Sequence, residues 1–398
     1  MNNVFIDVDY SQIFKHGQRI GGDVFLLSRS PESNQIVATL SDGLGSGVKA
    51  NVLASLTAHM AHRMSFSPIE IRHSAEIIMN TLPVCKERKI SYSTFTIAKI
   101  HYLENLSDIK VDLIEYDNPA ALRFNGSVPV KWEKTKTELQ RAAAFKKEII
   151  TSSSFKLETG DRLVMFSDGV TQAGLGQTLS LGWRLSGVKA FLTETLERNP
   201  DISSRDLSRS VVQQAATLDG LSAKDDITCV VLYVRKPRRT MVVTGPPFTK
   251  EADQILKERL ESFEGKKIVS GGTTAQIVSR LFGRKLTVDL KCWSKDVPPS
   301  SRMEGIDLVT EGMLTLSRVA TLLEEKTPLG ELPDDPAKRF VELLLNSDQV
   351  HFLVGTKINE AHQSPDIPVE IGIRRTMIGR LRRVLEDIYL KETTVEYL

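Results

Sequence analysis

The stretch IVATLSDGLGSGVKANVLASL, residues 36–56, combines a strand, a tight turn and the start of a helix. Its first residues are apolar and partly β-branched, which favours a buried strand over 35–40. Asp-Gly ends this run and two further glycines follow, so the chain can turn sharply there. Apolar residues then recur at helical spacing, which predicts a helix over about 46–63. The segment therefore places Asp42 in a turn between a strand and a helix.

Three other segments place an aspartate at the edge of an apolar strand. They are GGDVF (21–25), FSDGV (166–170) and KDDIT (224–228), and the second repeats the Ser-Asp-Gly of the opening stretch. Asp-Gly is a common turn dipeptide, so an ordinary turn is the alternative at any one of these places. Four acidic strand edges, two with the same tripeptide, predict one shared site.

Carboxylates that meet at one site need cations. Several buried carboxylates repel one another and lose hydration, and divalent ions offset both costs. Mg²⁺ and Mn²⁺ prefer carboxylate, carbonyl and water oxygens. A zinc or disulfide framework is not indicated, because the three cysteines, Cys85, Cys229 and Cys292, are scattered and form no Cys-x-x-Cys pair.

The order of predicted elements indicates two domains. In the first half, strands come in blocks with helix pairs at about 46–63 with 68–82 and 185–198 with 204–217, which predicts antiparallel sheets covered by helices, an α+β fold. The second half alternates strands and helices, which predicts a smaller three-layer α/β domain. The basic break RKPRRT, residues 235–240, divides the chain into domains 1–236 and 237–398.

Taken together and in order, the four motifs resemble the metal-dependent protein serine/threonine phosphatases. The sequence is most similar to their bacterial branch, typified by the sporulation stage II protein E phosphatase, over about residues 15–235. The resemblance implies a four-layer α-β-β-α antiparallel sandwich for the first domain. It also implies hydrolysis of phosphoserine or phosphothreonine by a water that bridges two Mn²⁺ or Mg²⁺ ions, without a phosphoenzyme.

The resemblance assigns roles to individual positions. Asp42 matches the carboxylate that bridges both ions, and Gly43 matches a residue that gives its backbone carbonyl to one of them. Asp168 and Asp225 match the remaining ligands of the second ion. Asp42, Asp168 and Asp225 are therefore the implied catalytic residues.

Two further acidic positions and one arginine belong to the implied site. Asp226 stays a candidate metal ligand beside Asp225, although Asp225 matches better as the first of the pair. Asp23 matches an acidic residue that acts through metal-bound water or a further ion. Arg19 is the nearest candidate for gripping phosphate, with a solvated charge as the alternative. In relatives the helices equivalent to 46–82 can move and complete the site; here they could equally only cover the sheet.

Composition limits the partners and the location. The net charge of +2 gives no overall field for nucleic acid or an anionic membrane. No apolar stretch approaches the roughly 20 residues of a membrane span, and the N-terminus lacks a secretory pattern. The sequence therefore predicts a cytoplasmic protein without nucleic-acid binding.

The second domain carries weaker signals of a ligand site. KIVSGGTTAQ (267–276) reads as a strand, a turn and a helix beginning near Thr273, which could hold an anion. Glu304, Asp307 and Glu311 surround another strand and could join a small-molecule pocket, with ordinary capping and turns as the alternative. No nucleotide-binding fingerprint is present. The last helix, about 372–391, is amphipathic with a basic face.

The sequence leaves three functions open. The first is a protein phosphatase in bacterial signalling, whose substrate is a small phosphorylated regulatory protein such as an anti-sigma factor antagonist. The alternative is a catalytically weak phosphatase-like scaffold that senses a ligand through its second domain. The third is a metal-dependent hydrolase of small phosphoesters. The natural substrate, a homodimer and the choice between Mn²⁺ and Mg²⁺ stay open.

Overall fold

Two compact units make up the chain, Met1–Lys236 and Pro237–Leu398. The computed structural model describes residues 4–30, 33–45, 47–65, 71–81, 93–102, 108–139, 148–289, 293–295, 297–327, 330, 332–357, 367–389 and 391–398. Cys85 and Cys292 lie outside the described residues, as does the predicted start of the second helix at 68. Cys229 is buried, and no helix in the described part of the chain is long and apolar enough to cross a membrane.

The described part of the first unit contains two antiparallel sheets. One has the strand order β2-β3-β4-β5-β9-β8, formed by β2 (Asp23–Ser30), β3 (Gln35–Gly43), β4 (Ser93–Tyr102), β5 (Ile109–Tyr116), β8 (Thr135–Leu139) and β9 (Glu148–Leu157). The other has the order β1-β11-β10-β6-β7, formed by β1 (Phe5–Ile13), β6 (Leu122–Asn125), β7 (Val128–Val130), β10 (Asp161–Phe166) and β11 (Ile227–Arg235).

Helices cover the outer face of each sheet. Helices α1 (Val48–Ser65) and α2 (Ile71–Thr81) pack on the six-stranded sheet. On the five-stranded sheet lie α3 (Asp168–Gln172), α4 (Arg184–Arg198) and α5 (Ser204–Leu218). Between the sheets, side chains such as Leu40 and Ala98 share one core with Leu163 and Leu232 of the opposite sheet. The predicted four-layer α-β-β-α sandwich is confirmed.

Helix α1 packs through small residues. Its buried residues are Ala50, Ala54, Thr57, Ala58, Ala61 and Ser65. The larger apolar residues whose spacing predicts the helix lie partly on the other side, since Val48, Val52 and Leu56 are exposed. Small side chains let the helix backbone approach the sheet closely, which the apolar periodicity alone did not indicate.

The second unit is built on one mixed sheet of seven described strands, ordered β14-β15-β16-β13-β12-β17-β18. Its strands are β12 (Arg239–Thr244), β13 (Lys266–Ser270), β14 (Thr287–Asp289), β15 (Ser300–Met303), β16 (Ile306–Thr310), β17 (Gln349–Val354) and β18 (Glu392–Tyr397). The five strands from β16 to β18 in that order are parallel, while β14 and β15 pair antiparallel.

Helices lie on both faces of this sheet. They are α6 (Lys250–Ser262), α7 (Gly272–Phe282), α8 (Met313–Glu324), α9 (Pro336–Leu345) and α10 (Ile367–Asp387). Helices α6 and α7 pack with Val243 and Val269 on one face, while α8, α9 and α10 pack with Val242 and Ile268 on the other. Alternate residues of each strand thus feed two cores, and the unit has three layers, as the sequence predicts.

Candidate metal centre

Strands β2 and β3 position the first two aspartates opposite each other. Asp23 begins β2, and its partner across the antiparallel ladder is Asp42, near the end of β3. Gly43 ends β3 directly under helix α1. A Cβ at Gly43 would stand 2.2 Å from the backbone oxygen of Ala50, so only glycine permits this close packing. The close approach explains the Asp-Gly pair of the opening stretch.

The other sheet delivers the remaining aspartates. Asp168 is the first residue of α3, immediately after β10, and Asp225 lies in the turn that leads into the neighbouring strand β11. A Cβ at Gly169 would stand 2.1 Å from the backbone oxygen of Asp226, so this glycine lets the two turns meet. Both Ser-Asp-Gly motifs therefore combine a carboxylate with a close backbone contact.

Asp226 joins the two sheets. Its carboxylate accepts backbone N–H bonds from Lys15 at 2.9 Å and from Gly22 at 2.6 Å, and the residue is buried. Gly22 directly precedes Asp23 on the six-stranded sheet, whereas Asp226 precedes β11 on the other. Both carboxylate oxygens of Asp226 are thus engaged in holding the sandwich edge together, which distinguishes it from Asp225.

Asp23 is buried and held by a hydroxyl. The Thr228 side chain donates to its carboxylate at 2.6 Å, and Thr228 lies on β11 of the opposite sheet. Burial, and to a smaller extent the charges of Asp226 and Asp168, raises the pKa of Asp23 to about 7. This carboxyl group is therefore protonated more readily than an ordinary aspartate.

Asp168 and Asp225 are half-buried, and each accepts a hydrogen bond from a residue close to it in the chain. Gln172 donates to Asp168 at 2.6 Å, while burial and the nearby Asp225 raise the pKa of Asp168 to about 6. The backbone N–H of Asp226 donates to Asp225 at 3.0 Å. Burial raises the pKa of Asp225, although this hydrogen bond and the positive charge of Lys15 oppose the shift.

Asp42 is at the electrostatic centre of the group. Among the described residues, no N–H or O–H group donates a hydrogen bond to its carboxylate. Burial, followed by the repulsion of four other carboxylates, raises the pKa of Asp42 to about 9; these neighbours are Asp23, Asp168, Asp225 and Asp226. Five carboxylates from two sheets and four separate chain segments thus act on one another at one edge of the sandwich.

Comparison with protein families identifies the first unit. The model of the Stage II sporulation protein E (SpoIIE) family matches residues 32–235, just over half of the 398-residue chain. The chain belongs to the SpoIIE family of PP2C-type phosphatases. The predicted resemblance is confirmed. A search of curated proteins finds no match.

Solved structures of SpoIIE-family and related phosphatase domains are similar to the chain at low identity. The SpoIIE phosphatase domain of Bacillus subtilis is 15% identical, with 59% of this chain and 95% of that chain covered and a TM-score of 0.42. RsbX in complex with magnesium is 16% identical, covering 57% and 95%, with a TM-score of 0.40. The RsbU and RsbW domains of Rv1364c from Mycobacterium tuberculosis are 15% identical, covering 65% and 68%, with a TM-score of 0.43.

The donor set of this SpoIIE-family site suits divalent cations. In the described part of the chain, no three His, Cys, Asp or Glu side chains are arranged to hold a metal ion as they stand. Four of the five carboxylates instead accept hydrogen bonds from their own neighbours, whereas no described residue donates to that of Asp42. A crowded set of acidic oxygens with its central member unpaired fits hard ions such as Mg²⁺ and Mn²⁺, which would replace repulsion with attraction.

Three supporting residues are not predicted by the sequence motifs. Thr228 supports Asp23, the Lys15 charge acts on Asp225, and Asp117 is close enough to Asp168 to raise its pKa. Thr228 lies inside the KDDIT motif, so its position was available as a signal. Lys15 and Asp117 come from loops whose approach to the site no local pattern indicates. Arg19 is exposed, and its part in gripping phosphate stays a prediction.

We expect Thr228→Val to weaken cation activation. The change removes the hydroxyl that orients Asp23 and leaves this buried carboxylate with one donor fewer, the Ser167 hydroxyl remaining. The Mn²⁺ concentration for half-maximal phosphatase activity should rise by about 10-fold or more. Thr240→Val is the matched control, because Thr240 is a buried strand threonine in the second unit, and among the described residues its hydroxyl bonds only to that of Ser347. An equal shift in both variants would contradict a role for Thr228 at the site.

Proposed function

We propose that this chain is a metal-dependent protein serine/threonine phosphatase that hydrolyses phosphoserine and phosphothreonine. The observation that carries the proposal is the cluster of five carboxylates around Asp42, to which both sheets contribute. Membership of the SpoIIE family supports the reaction class. The reaction is hydrolysis of a phosphoric monoester.

Two Mn²⁺ or Mg²⁺ ions are the cofactors in this proposal. Asp42 would contact both ions, the Gly43 carbonyl would serve one of them, and Asp168 and Asp225 would complete the second. The ions supply Lewis acidity toward water and toward phosphate oxygens when they are bound. Asp23 supports the site as a buried carboxyl group, and Asp226 remains a candidate ligand through the lone pairs that its two backbone hydrogen bonds leave free.

The chain itself contributes positioning. Thr228 fixes the Asp23 carboxylate and Gln172 fixes that of Asp168, so that two side chains reach the edge with defined orientations. Asp226 holds the loop before β2 against β11 through Lys15 and Gly22. Such preorganisation keeps the donors in place before a substrate arrives.

The substrate class that we propose is a small phosphorylated regulatory protein in a bacterial signalling pathway in the cytoplasm. Membership of the SpoIIE family supports this choice. A phosphorylated protein would present its phosphoserine or phosphothreonine at the carboxylate edge.

Phosphopeptide hydrolysis tests the proposal directly. We expect the full chain with Mn²⁺ to release phosphate from phosphoserine and phosphothreonine peptides and to lose this activity in EDTA. Asp168→Asn should lower activity by about 10³-fold, since it removes a charged donor from the site. Asp108→Asn is the control. Asp108 is an exposed aspartate outside the carboxylate cluster; it directly precedes β5 and pairs with Lys156.

The scaffold alternative predicts a different pattern. Under it, the full chain would bind Mn²⁺, detected by calorimetry, yet release no phosphate from any of these peptides. Activity that persists in EDTA and in Asp168→Asn would instead exclude the metal-dependent mechanism. A preference for small chromogenic esters over every phosphopeptide would favour the small-phosphoester hydrolase.

A further inference from the structure

The second unit contains a cavity of about 530 Å³ at one edge of its parallel sheet. Thirteen residues line it, and they come from the segments that follow β12, β13 and β16 and from helix α10. The volume lies within the 300–1,000 Å³ range of small-molecule sites in proteins. Thr273 and Glu311 belong to this cavity, whereas Glu304 and Asp307 do not, because they precede or begin β16 and lie at its opposite end.

The topology places this cavity where parallel sheets bind ligands. The parallel strands run β16-β13-β12-β17-β18, which is the third, second, first, fourth and fifth in chain order. Helices α6 and α7 lie on one face and α8 to α10 on the other. In such doubly wound sheets, ligands bind outside the carboxyl ends of the strands, next to the point where the strand order reverses. Here that point lies beside β12.

Three neighbouring strands end in hydroxyl residues at matching register. Thr244 pairs with Ser270, and Ser270 pairs with Thr310. A glycine follows each strand end within two residues, which opens room for a ligand beside the backbone. The Ser270 and Thr310 hydroxyls bond to each other at 3.0 Å, and neither of them bonds to the hydroxyl of Thr244.

Two buried hydroxyls in the cavity wall have no partner. Thr244 is 3% exposed and Thr274 is 1% exposed, and both line the cavity. The structure gives neither side chain a hydrogen-bond partner among the described residues. Unlike that of Thr315, their oxygen atoms are not enclosed by protein but open to the cavity, so these two groups offer hydrogen bonds to a polar ligand there.

The charges around the cavity favour an anion. Helices α7 and α8 both begin at its wall, and helix N-termini carry partial positive charge and unpaired N–H groups. Arg374 reaches the wall from α10 and donates to the Gly355 carbonyl at 2.9 Å, which holds its guanidinium in place. Glu311 adds one acceptor at the rim. The sequence predicts a threonine cap for α7 near Thr273, but the cap is Gly271, without a side-chain bond.

We propose that this cavity binds a small phosphate-bearing metabolite. The phosphate contacts the start of α7 and α8, accepts hydrogen bonds from Thr244 and Thr274, and pairs with Arg374. A hydroxyl-bearing remainder, such as a sugar or nucleoside, fills the rest of the volume and donates to Glu311. This site is separate from the carboxylate cluster of the first unit, so it does not depend on the proposed phosphatase activity.

Calorimetric titration of the full chain in EDTA tests this site, because chelation removes any phosphate binding that needs metal ions. The probes are inorganic phosphate, adenosine 5′-monophosphate and glucose 6-phosphate, with adenosine and glucose as unphosphorylated controls. We expect saturable binding of phosphate and at least about 10-fold tighter binding of one organic phosphate. The unphosphorylated controls should show no saturable binding.

Variants separate the site from general folding effects. Thr244→Val, Thr274→Val and Arg374→Gln should each weaken phosphate binding by about 10-fold. Thr315→Val is the matched control for Thr274→Val. Thr315 also lies in the third position of its helix and has a buried hydroxyl without a partner, but it does not line the cavity. This control should bind phosphate as the unmodified chain does.

Three results would overturn the proposal. One is the absence of saturable binding of all three phosphate probes up to about 10 mM. Another is binding of adenosine or glucose as tight as that of its phosphate ester. The third is unchanged phosphate affinity in the Thr244, Thr274 and Arg374 variants while their melting temperatures stay at the unmodified value.

Discussion

Asp42→Asn is expected to abolish phosphatase activity and to stabilise the metal-free protein. Activity should fall by about 10³-fold or more, since the central anionic donor is lost. The free energy of unfolding in EDTA at pH 7 should rise by about 1–2 kcal/mol. Burial and then four neighbouring carboxylates raise the pKa of Asp42 to about 9, so the native state holds a proton that the unfolded chain has released.

The size of this stability effect depends on pH. The unfolded chain binds fewer protons than the native state between the ordinary pKa of 3.8 and about 9, so the native stability contributed by Asp42 falls as pH rises through that window. Asparagine does not titrate and removes the penalty. The gain from Asp42→Asn should therefore shrink as the pH approaches 4, which thermal unfolding in EDTA at several pH values measures.

Asp161→Asn is the matched control and should have the opposite sign. Asp161 is also buried, but Arg123 donates to it at 2.6 Å and Asn125 at 2.9 Å. Breaking a buried, satisfied ion pair should cost about 3 kcal/mol. If Asp42→Asn destabilised the metal-free protein as Asp161→Asn does, the carboxylates would not be in electrostatic conflict and the argument for a cation site would fail.

Gly43→Ala should lower both stability and activity. The new Cβ would meet the backbone oxygen of Ala50 at 2.2 Å, and a backbone atom in a helix cannot turn aside. We expect a loss of about 2–3 kcal/mol in the free energy of unfolding, measured by urea denaturation. Displacement of Asp42 by even about 1 Å should reduce activity by about 10²-fold. The Gly43 carbonyl is kept in this variant, so the loss reports on packing.

The control for this change is Gly379→Ala in helix α10. A Cβ at Gly379 meets no atom within 4 Å, and alanine favours a helix over glycine by about 0.5–1 kcal/mol. This variant should be as active as the unmodified chain and slightly more stable. If Gly43→Ala were as stable as the unmodified chain, helix α1 would not be packed closely against the end of β3.

The sequence predicts much of the candidate site because its residues sit at strand ends. An apolar run that stops at Ser-Asp-Gly marks both the strand and the residue that leaves it, as at Asp42 and Asp168. The block pattern of strands with paired helices similarly predicts the four-layer sandwich. Local sequence carries this information because strand ends and turns depend on a few neighbouring residues.

Other features depend on contacts between distant segments and could not be read locally. Asp226 looks like the second member of an acidic pair, yet its role is set by the N–H groups of Lys15 and Gly22, more than 200 positions away. The buried face of α1 is set by the sheet beneath it. Strand β18 was not predicted, since its exposed edge position gives it a polar, weakly alternating sequence, ETTVEY.

The division of the carboxylates between two sheets has a consequence for the lifetime of the enzyme. Donors from both sheets would have to come together for a cation to be held, so the binding free energy would add to the work of separating the layers. At a cation concentration of about 100 times its dissociation constant, this contribution reaches about 2.7 kcal/mol. At a low manganese concentration in the cell, the protein would then be degraded by proteases faster and would also be inactive.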